Sequence, residues 1–153
     1  MRSFGIAPLK VEAAFELSKM LKADSTEYSK YFQPFRFDED TLTAVLSAMR
    51  EDQFWGVYSG DALVGFFMLR GFDAGFSIPS YGVYIAEKFS GNGISKLTLQ
   101  FVRVWCRMEN IPKVMIKVHP QNQIAKKAYE KSGAVLEGLD PKNANLIYAL
   151  SIL

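Results

Sequence analysis

The sequence is poor in the features that mark secreted, membrane-bound or nucleic-acid-binding proteins. It contains one cysteine, Cys106, so an internal disulfide cannot form. No segment approaches the roughly 18 apolar residues that span a bilayer, and the first residues lack the apolar stretch of a signal peptide. Basic residues are scattered and the formal net charge is only +2. We therefore expect a cytoplasmic protein that has neither a membrane nor a nucleic acid as a partner.

Length and composition predict one folded domain. The chain has 153 residues, of which 49% are hydrophobic, and this is enough for a real core. We find neither an internal repeat nor a low-complexity linker, so we expect a single domain over residues 1–153. No metal site is expected.

Hydrophobic periodicity predicts four helices and seven strands. The helices are expected at 9–22, from Asp38 to about Met49, after Gly93 to about Met108, and at 122–131. The strands are expected at 3–7, 54–58, 62–69, 81–86, 114–118, about 134–138 and 145–151. Residues 24–37 are polar and aromatic and are expected to form a loop or a broken helix.

The order of these elements predicts a mixed α/β fold. The strand, glycine-rich turn, helix and strand between residues 81 and 118 form a crossover between parallel strands. The strands on either side of Ser59-Gly60-Asp61 form an antiparallel hairpin. Together they require a mixed, mostly antiparallel sheet with helices packed on it.

The turn Ser90-Gly91-Asn92-Gly93-Ile94-Ser95 opens the longest predicted helix. The first N–H groups of a helix have no internal partner and favour an anion, and glycines let a ligand approach the backbone. The turn lacks the Lys-Ser or Lys-Thr pair of a P-loop and the third glycine of a dinucleotide fingerprint. It therefore indicates either a phosphate site of another kind or a plain strand-to-helix turn.

Two motifs resemble those of the GNAT acetyltransferase superfamily. The turn resembles the family signature of Arg or Gln, Gly, any residue, Gly, any residue, and Gly or Ala, with Ser90 and Ser95 as departures. About thirty residues on, the family shows Asn-x-x-Ala-x-x-x-Tyr-Glu-Lys-x-Gly. The matching residues of this second motif are Asn122, Ala125, Tyr129, Glu130, Lys131 and Gly133.

The resemblance implies an N-acetyltransferase that takes its acetyl group from acetyl-CoA. It implies that residues 90–95 hold the pyrophosphate, mostly through backbone N–H groups. It also implies that Val83, Tyr84 and Ile85 offer backbone groups to the pantetheine arm, which enters a gap between this strand and the strand ending at Val118. Asn122 and Ala125 share a helix face with Tyr129 and are expected to touch the same arm.

The resemblance and the residue types also suggest which groups move protons. Tyr129 is the candidate general acid for the leaving thiolate, and the alternative is a tyrosine that only packs in the core. His119, the only histidine, is one candidate base because imidazole is a common proton acceptor in catalysis near neutral pH. Glu87 is a second candidate, and a water relay is a third.

The acceptor is less sharply indicated than the donor. In the family, acceptor specificity comes from the loops that correspond here to residues 24–37 and 71–80. We expect the substrate-binding residues to be Tyr28, Tyr31, Phe32, Asp73 and Tyr81, although scattered aromatics of this kind also build cores. Few acidic residues favour a small-molecule primary amine such as an amino sugar. Acetylation of a protein N-terminus or lysine, and a non-catalytic acyl-CoA-binding module, remain alternatives, and a homodimer is compatible with the sequence.

Overall fold

A computed structural model describes residues 2–152. It confirms the predicted mixed α/β fold and adds one short helix. The strands are β1 (Phe4–Pro8), β2 (Gln53–Ser59), β3 (Ala62–Arg70), β4 (Ser80–Ile85), β5 (Lys113–Val118), β6 (Val135–Leu139) and β7 (Leu146–Ser151). The helices are α1 (Ala14–Ala23), α2 (Thr26–Ser29), α3 (Glu39–Ala48), α4 (Ile94–Met108) and α5 (Gln123–Lys131).

Short 3₁₀ turns account for two boundaries that periodicity did not resolve. Val11–Ala13 precedes α1, and Glu87–Phe89 lies between β4 and the glycine turn. The sequence suggested that the glycine turn alone joins β4 to α4, but the 3₁₀ turn at Glu87–Phe89 also lies between them. Within the segment 24–37, the one-turn helix α2 begins after Ser25, whose hydroxyl accepts the N–H of Tyr28 at 3.2 Å.

Local chemistry explains two of the helix ends. The Asp38 carboxylate accepts the N–H of Thr41 at 3.0 Å, which makes Asp38 the N-cap of α3 as expected. At the end of α5, Gly133 has a φ of 96°. Its N–H and that of Ala134 donate to the carbonyls of Glu130 and Tyr129, so the helix ends in the glycine motif that the sequence predicted.

The seven strands form one sheet in the order β1-β2-β3-β4-β5-β7-β6. All neighbours are antiparallel except β4 and β5, which are parallel. β2 and β3 form the predicted hairpin, and Ser59 pairs with Ala62 across the turn. The sheet is therefore mixed and mostly antiparallel.

Both faces of the sheet are covered, and each carries its own core cluster. On one face, α1 and α3 pack over β2, β3 and β4 around the buried Leu17, Leu42 and Phe66. On the other face, α4 packs over Val57, Phe67 and Val114, with Tyr129 of α5 at the edge of the cluster. None of the helices in the described part of the chain has the length and apolar character needed to cross a bilayer.

The two central strands separate soon after they meet. β4 pairs with β5 only at Ser80 and Met115, whereas β5 pairs with β7 along its whole length. Beyond Ser80 the two parallel strands diverge, and a gap opens towards Ile85 on one side and Val118 on the other. This is the splay that the resemblance implied, and the glycine turn and α4 follow from its open end.

Candidate acyl-CoA site

The turn at 90–95 has a backbone that only glycine adopts easily. Gly91 and Gly93 have φ values of 79° and 84°, in the left-handed region. A Cβ on either residue would meet no atom within 4 Å. The glycines are therefore required by the backbone conformation, and the outer side of the turn is open to a ligand.

The same turn presents a row of free donors. The N–H groups of residues 91–96 donate to no acceptor within the described part of the chain, and the first outward bond of α4 is from Leu97 to Gly93 at 3.0 Å. The first turn of α4 carries no acidic side chain. Consecutive free N–H groups at a helix N-terminus form an anion-binding concavity, so this turn fits a pyrophosphate.

Only alternate residues of β4 can offer their backbone to the gap. Ala86 donates its N–H to Val64 of β3 at 2.9 Å. In an antiparallel pair the bonded residues alternate, so Tyr84, which pairs with Phe66, also turns its peptide towards β3. Val83 and Ile85 turn their peptides towards the gap. The inclusion of Tyr84 as a backbone contact is corrected by this register.

Tyr129 of α5 packs against Tyr81, close to the point where β4 stops pairing with β5. Its ring meets that of Tyr81 edge-on, with centroids 6.5 Å apart, and the Tyr81 hydroxyl is in turn 2.7 Å from Thr98 Oγ1. The Tyr129 hydroxyl has no hydrogen-bond partner among residues 2–152, yet it is not sealed in the core. Burial raises the pKa of Tyr129 to about 12, which keeps the phenol protonated at neutral pH.

Asn122 also has a structural role at the start of α5, which the sequence interpretation did not predict. It is the N-cap of α5, and its Oδ1 accepts the N–H of Ala125 at 3.2 Å. One of its two polar atoms is thus occupied by the helix. The side-chain NH₂ remains for the arm.

The two candidate bases lie on opposite sides of the gap. His119 follows β5, and its Nδ1 accepts the N–H of Gln121 at 3.1 Å. In the neutral ring the proton is therefore on Nε2. Glu87 is exposed at the start of the 3₁₀ turn after β4, and its N–H donates to Asp24 Oδ2 at 3.0 Å.

The segment 24–37 does reach the open end of the gap. The Tyr28 hydroxyl donates to the Ile85 carbonyl at 2.6 Å. The Tyr31 ring lies against His119, with centroids 4.6 Å apart. These two tyrosines are therefore placed on the two walls of the gap.

Three of the expected acceptor contacts are not placed to meet a substrate. Phe32 packs on Phe66 and Tyr84 inside the helix-covered face, and Tyr81 is only 4% exposed. Asp73 binds the N–H groups of Arg50, Glu51 and Asp52. These bonds lower the pKa of Asp73 and tie its loop to the segment before β2. The loop leads into β4 at Ser80, about 17 Å of strand away from Ile85.

Sequence reasoning named one wrong loop and missed another. Residues 71–79 join β3 to the closed end of β4, because Arg70 pairs with Ser80. Residues 140–145 lie at the open end instead, because Leu146 pairs with Val118. Asp140 holds this loop through the N–H of Lys142 at 2.9 Å and Lys117 Nζ at 3.1 Å, and both partners lower its pKa. Only the pairing of β5 with β7 places residues 140–145 at the open end, and periodicity does not reveal which strands pair.

A surface cavity of about 470 Å³ lies elsewhere, at the C-terminal end of α4. It is lined by Phe72, Trp105 and Ile111 together with exposed polar side chains. It contains neither the free N–H row nor the strand gap. The candidate acyl-CoA site is therefore the backbone of the turn and the strand gap, and not this cavity.

The mixed sheet, its splayed parallel strands and the glycine turn together form the architecture that the resemblance implied for an acyl-CoA-dependent enzyme. The sequence pattern of the acetyltransferase (GNAT) family matches residues 17–134. The chain belongs to this family and is an acetyl-CoA-dependent acyltransferase. A comparison with curated proteins finds no match.

Solved structures share the whole architecture at low sequence identity. A PaiA N-acetyltransferase from Thermoplasma acidophilum, in complex with coenzyme A, has a TM-score of 0.79 at 16% identity, over 97% of this chain and 99% of that chain. A domain from Methanocaldococcus jannaschii has a TM-score of 0.81 at 15% identity, over 99% of each chain. A ribosomal-protein-S5-alanine acetyltransferase from Vibrio fischeri has a TM-score of 0.77 at 15% identity, over 99% of this chain and 96% of that chain. At these identities the likeness concerns the fold.

Proposed function

We propose that the protein transfers the acetyl group of acetyl-CoA directly to the primary amine of a small molecule, with Tyr129 as general acid. The observation that carries the proposal is the row of six consecutive N–H groups at 91–96 that have no acceptor among residues 2–152; it follows a strand gap near whose start Tyr129 packs on Tyr81. Acetyl-CoA supplies an activated acyl thioester. The chain's residues bind the donor, stabilise charge and move protons.

Binding of the donor divides between two main-chain segments. The N–H groups of 91–96 receive the pyrophosphate at the positive end of α4. Val83 and Ile85 turn their peptides into the gap, where β5 no longer pairs with them. A gap-facing N–H of β4 is suited to stabilise negative charge on the thioester carbonyl oxygen.

Tyr129 is suited to protonate the leaving sulfur. Its hydroxyl has no partner within residues 2–152, and its raised pKa keeps the phenol protonated at neutral pH, so the proton is present when negative charge develops on the leaving sulfur. The Tyr81 hydroxyl is hydrogen-bonded to Thr98, and the Tyr81 ring packs edge-on against the ring of Tyr129. Tyr81 thus acts as a positioning residue for Tyr129.

Removal of the proton from the amine is best assigned to a water relay. His119 uses Nδ1 to hold Gln121, so it could act as a base only by exchanging tautomers and giving up this bond. Glu87 is exposed and close to Asp24, and its carboxylate can order solvent at the mouth of the gap.

The shape of the mouth supports a small acceptor. The α2 segment touches both walls, through Tyr28 at Ile85 and Tyr31 at His119. A bridge of this kind narrows the approach to the thioester. A long polypeptide would need an open groove at the same place.

A panel of amines tests the proposal. Purified protein is mixed with acetyl-CoA and with amino sugars, polyamines, aminoglycosides and amino acids, and released thiol is followed with a chromogenic disulfide. We expect release with at least one small amine and one acetyl group per thiol in the product by mass spectrometry. Donor binding without release by any acceptor would instead support a non-catalytic acyl-CoA-binding module.

Acetylation of a protein N-terminus is the second candidate. Its support is that several proteins of the same fold bear such names, among them the ribosomal-protein-S5-alanine acetyltransferase and a ribosomal-protein-serine acetyltransferase from Vibrio cholerae. Peptides with N-terminal alanine or serine belong in the same panel. Release with these peptides and with no small amine would favour this candidate.

A further inference from the structure

The strand β4 leaves the sheet without a partner on one side. Its peptides at Val83 and Ile85 face the gap, and its only pairing with β5 is at Ser80. A strand end of this kind has free polar groups and few restraints. Yet this end carries the glycine turn that is to receive the pyrophosphate.

Two side chains from the α1–α2 region supply the missing restraints. The Tyr28 hydroxyl donates to the Ile85 carbonyl at 2.6 Å. Two residues later, the Glu87 N–H donates to Asp24 Oδ2 at 3.0 Å. The same carboxylate oxygen accepts the hydroxyl of Tyr84 at 2.6 Å, and the Tyr28 and Tyr84 rings meet edge-on with centroids 5.8 Å apart.

The chain between Ile85 and Glu87 is consequently held from two sides. From β3, Val64 receives the N–H of Ala86 at 2.9 Å. From the α1–α2 side, Tyr28 holds Ile85, the residue before Ala86, and Asp24 holds Glu87, the residue after it. Further along, a Cβ built on Gly91 or Gly93 would meet no atom within 4 Å beyond its chain neighbours. The position of the turn is thus set mainly by the segment that precedes it and by α4.

We infer that Asp24 and Tyr28 are positioning residues for the acyl donor, which fix the exit of β4 and thereby the row of N–H groups at 91–96. They do so without touching the pyrophosphate. The inference rests on the proposed donor site at 83–96. The sequence interpretation linked residues 24–37 only to the acceptor. The inference gives two residues of this segment a role in binding CoA as well.

Tyr28→Phe is the direct test, because it removes one hydroxyl and keeps the ring. Tyr58→Phe is the matched control, because Tyr58 is also half-buried and its hydroxyl has no partner among the described residues. CoA is titrated by calorimetry into the wild type and both variants. We expect the Kd for CoA to rise about three- to tenfold in Tyr28→Phe, the range that a lost neutral hydrogen bond gives, and to stay within twofold in Tyr58→Phe.

Asp24 provides a rescue experiment. In Asp24→Ala both bonds are lost, whereas in Asp24→Asn an amide oxygen can still accept from Tyr84 and Glu87. We expect weaker CoA binding in Asp24→Ala and substantial recovery in Asp24→Asn. Amide hydrogen exchange at 91–96 should be faster in Tyr28→Phe and Asp24→Ala, while exchange in β2 stays as in the wild type. A purely structural role would speed exchange throughout the sheet.

The outcomes separate failure of the inference from failure of the donor site. Wild-type protein that binds CoA together with Tyr28→Phe that binds equally well would overturn the positioning role and leave the donor site standing. Wild-type protein that does not bind CoA would overturn both. Weaker binding by Tyr28→Phe with unchanged Tyr58→Phe supports the inference even if Asp24→Ala does not fold.

Discussion

At the scale of single residues, the chemistry depends most on Tyr129. We expect Tyr129→Phe to lower kcat by about 10²-fold or more, the smallest effect usual for a lost general acid, with the Kd for acetyl-CoA within about twofold of the wild type. Initial rates and calorimetry measure the two quantities separately. Tyr58→Phe, distant from the gap, serves as the control. An unchanged kcat would reduce Tyr129 to a packing residue.

His119 is expected to matter less than its chemistry suggests. Its Nδ1 is engaged by the Gln121 N–H, so we expect His119→Gln to lower kcat/KM by less than about tenfold, below the usual effect of a general base. The measurement is the pH profile of kcat/KM for the best acceptor. A loss of about 10²-fold together with disappearance of the acidic limb would identify His119 as the base after all.

The backbone conformation of the candidate donor site could be predicted from the sequence, whereas the surroundings of the acceptor candidates could not. Gly91, Gly93 and Gly133 are imposed by backbone conformation within a few positions of the chain, so a motif can reveal them. The burial of Tyr81, the placement of Asp73 and the tie between Tyr28 and Ile85 depend on contacts between distant segments. Such contacts cannot be read from spacing.

At the scale of elements, the glycine turn and α4 act as one unit. Gly93→Ala places a Cβ at a φ of 84°, which costs about 1–2 kcal/mol of stability for an L-residue. Gly75→Ala, at a φ of 92° in the β3–β4 loop, carries the same kind of strain at the other end of the sheet. We expect both variants to lose similar stability in urea, and only Gly93→Ala to bind CoA more weakly. Equal CoA affinity in the two variants would remove the turn from the donor site.

Element boundaries show what periodicity can resolve. All seven strands lie where alternation or apolar runs predicted them, within one or two residues. The one-turn helix α2 and the 3₁₀ turn at Glu87–Phe89 are too short to produce a period. These short elements nevertheless decide which side chains reach the gap, because they carry Tyr28 and Glu87.

At the scale of the whole molecule, the burial of tyrosines predicts that the folded state loses stability at alkaline pH. The pKa is raised in the fold, mainly by burial, for Tyr28, Tyr58, Tyr81, Tyr84, Tyr129 and Tyr148. Above pH 10 the unfolded chain releases these protons first, so it binds fewer protons than the folded chain. Stability is therefore full below pH 10 and falls as the pH rises through the folded values, about 12 for Tyr129.

Urea unfolding at pH 8, 9 and 11 measures this effect. We expect the free energy of unfolding to be constant between the first two and lower at the third, and to fall less steeply in Tyr129→Phe. A free energy of unfolding that does not change up to pH 11 would show that the tyrosines are not buried as described.

We propose that the backbone of 83–96 and the gap beside it hold acetyl-CoA. Titration of ¹⁵N-labelled protein with acetyl-CoA, followed through its amide resonances, locates the donor residue by residue. We expect saturable shifts concentrated at the amides of 83–96 and of 118–129, with the residues around the cavity at Phe72 and Trp105 unaffected. Shifts centred on that cavity, or none at millimolar acetyl-CoA, would contradict it.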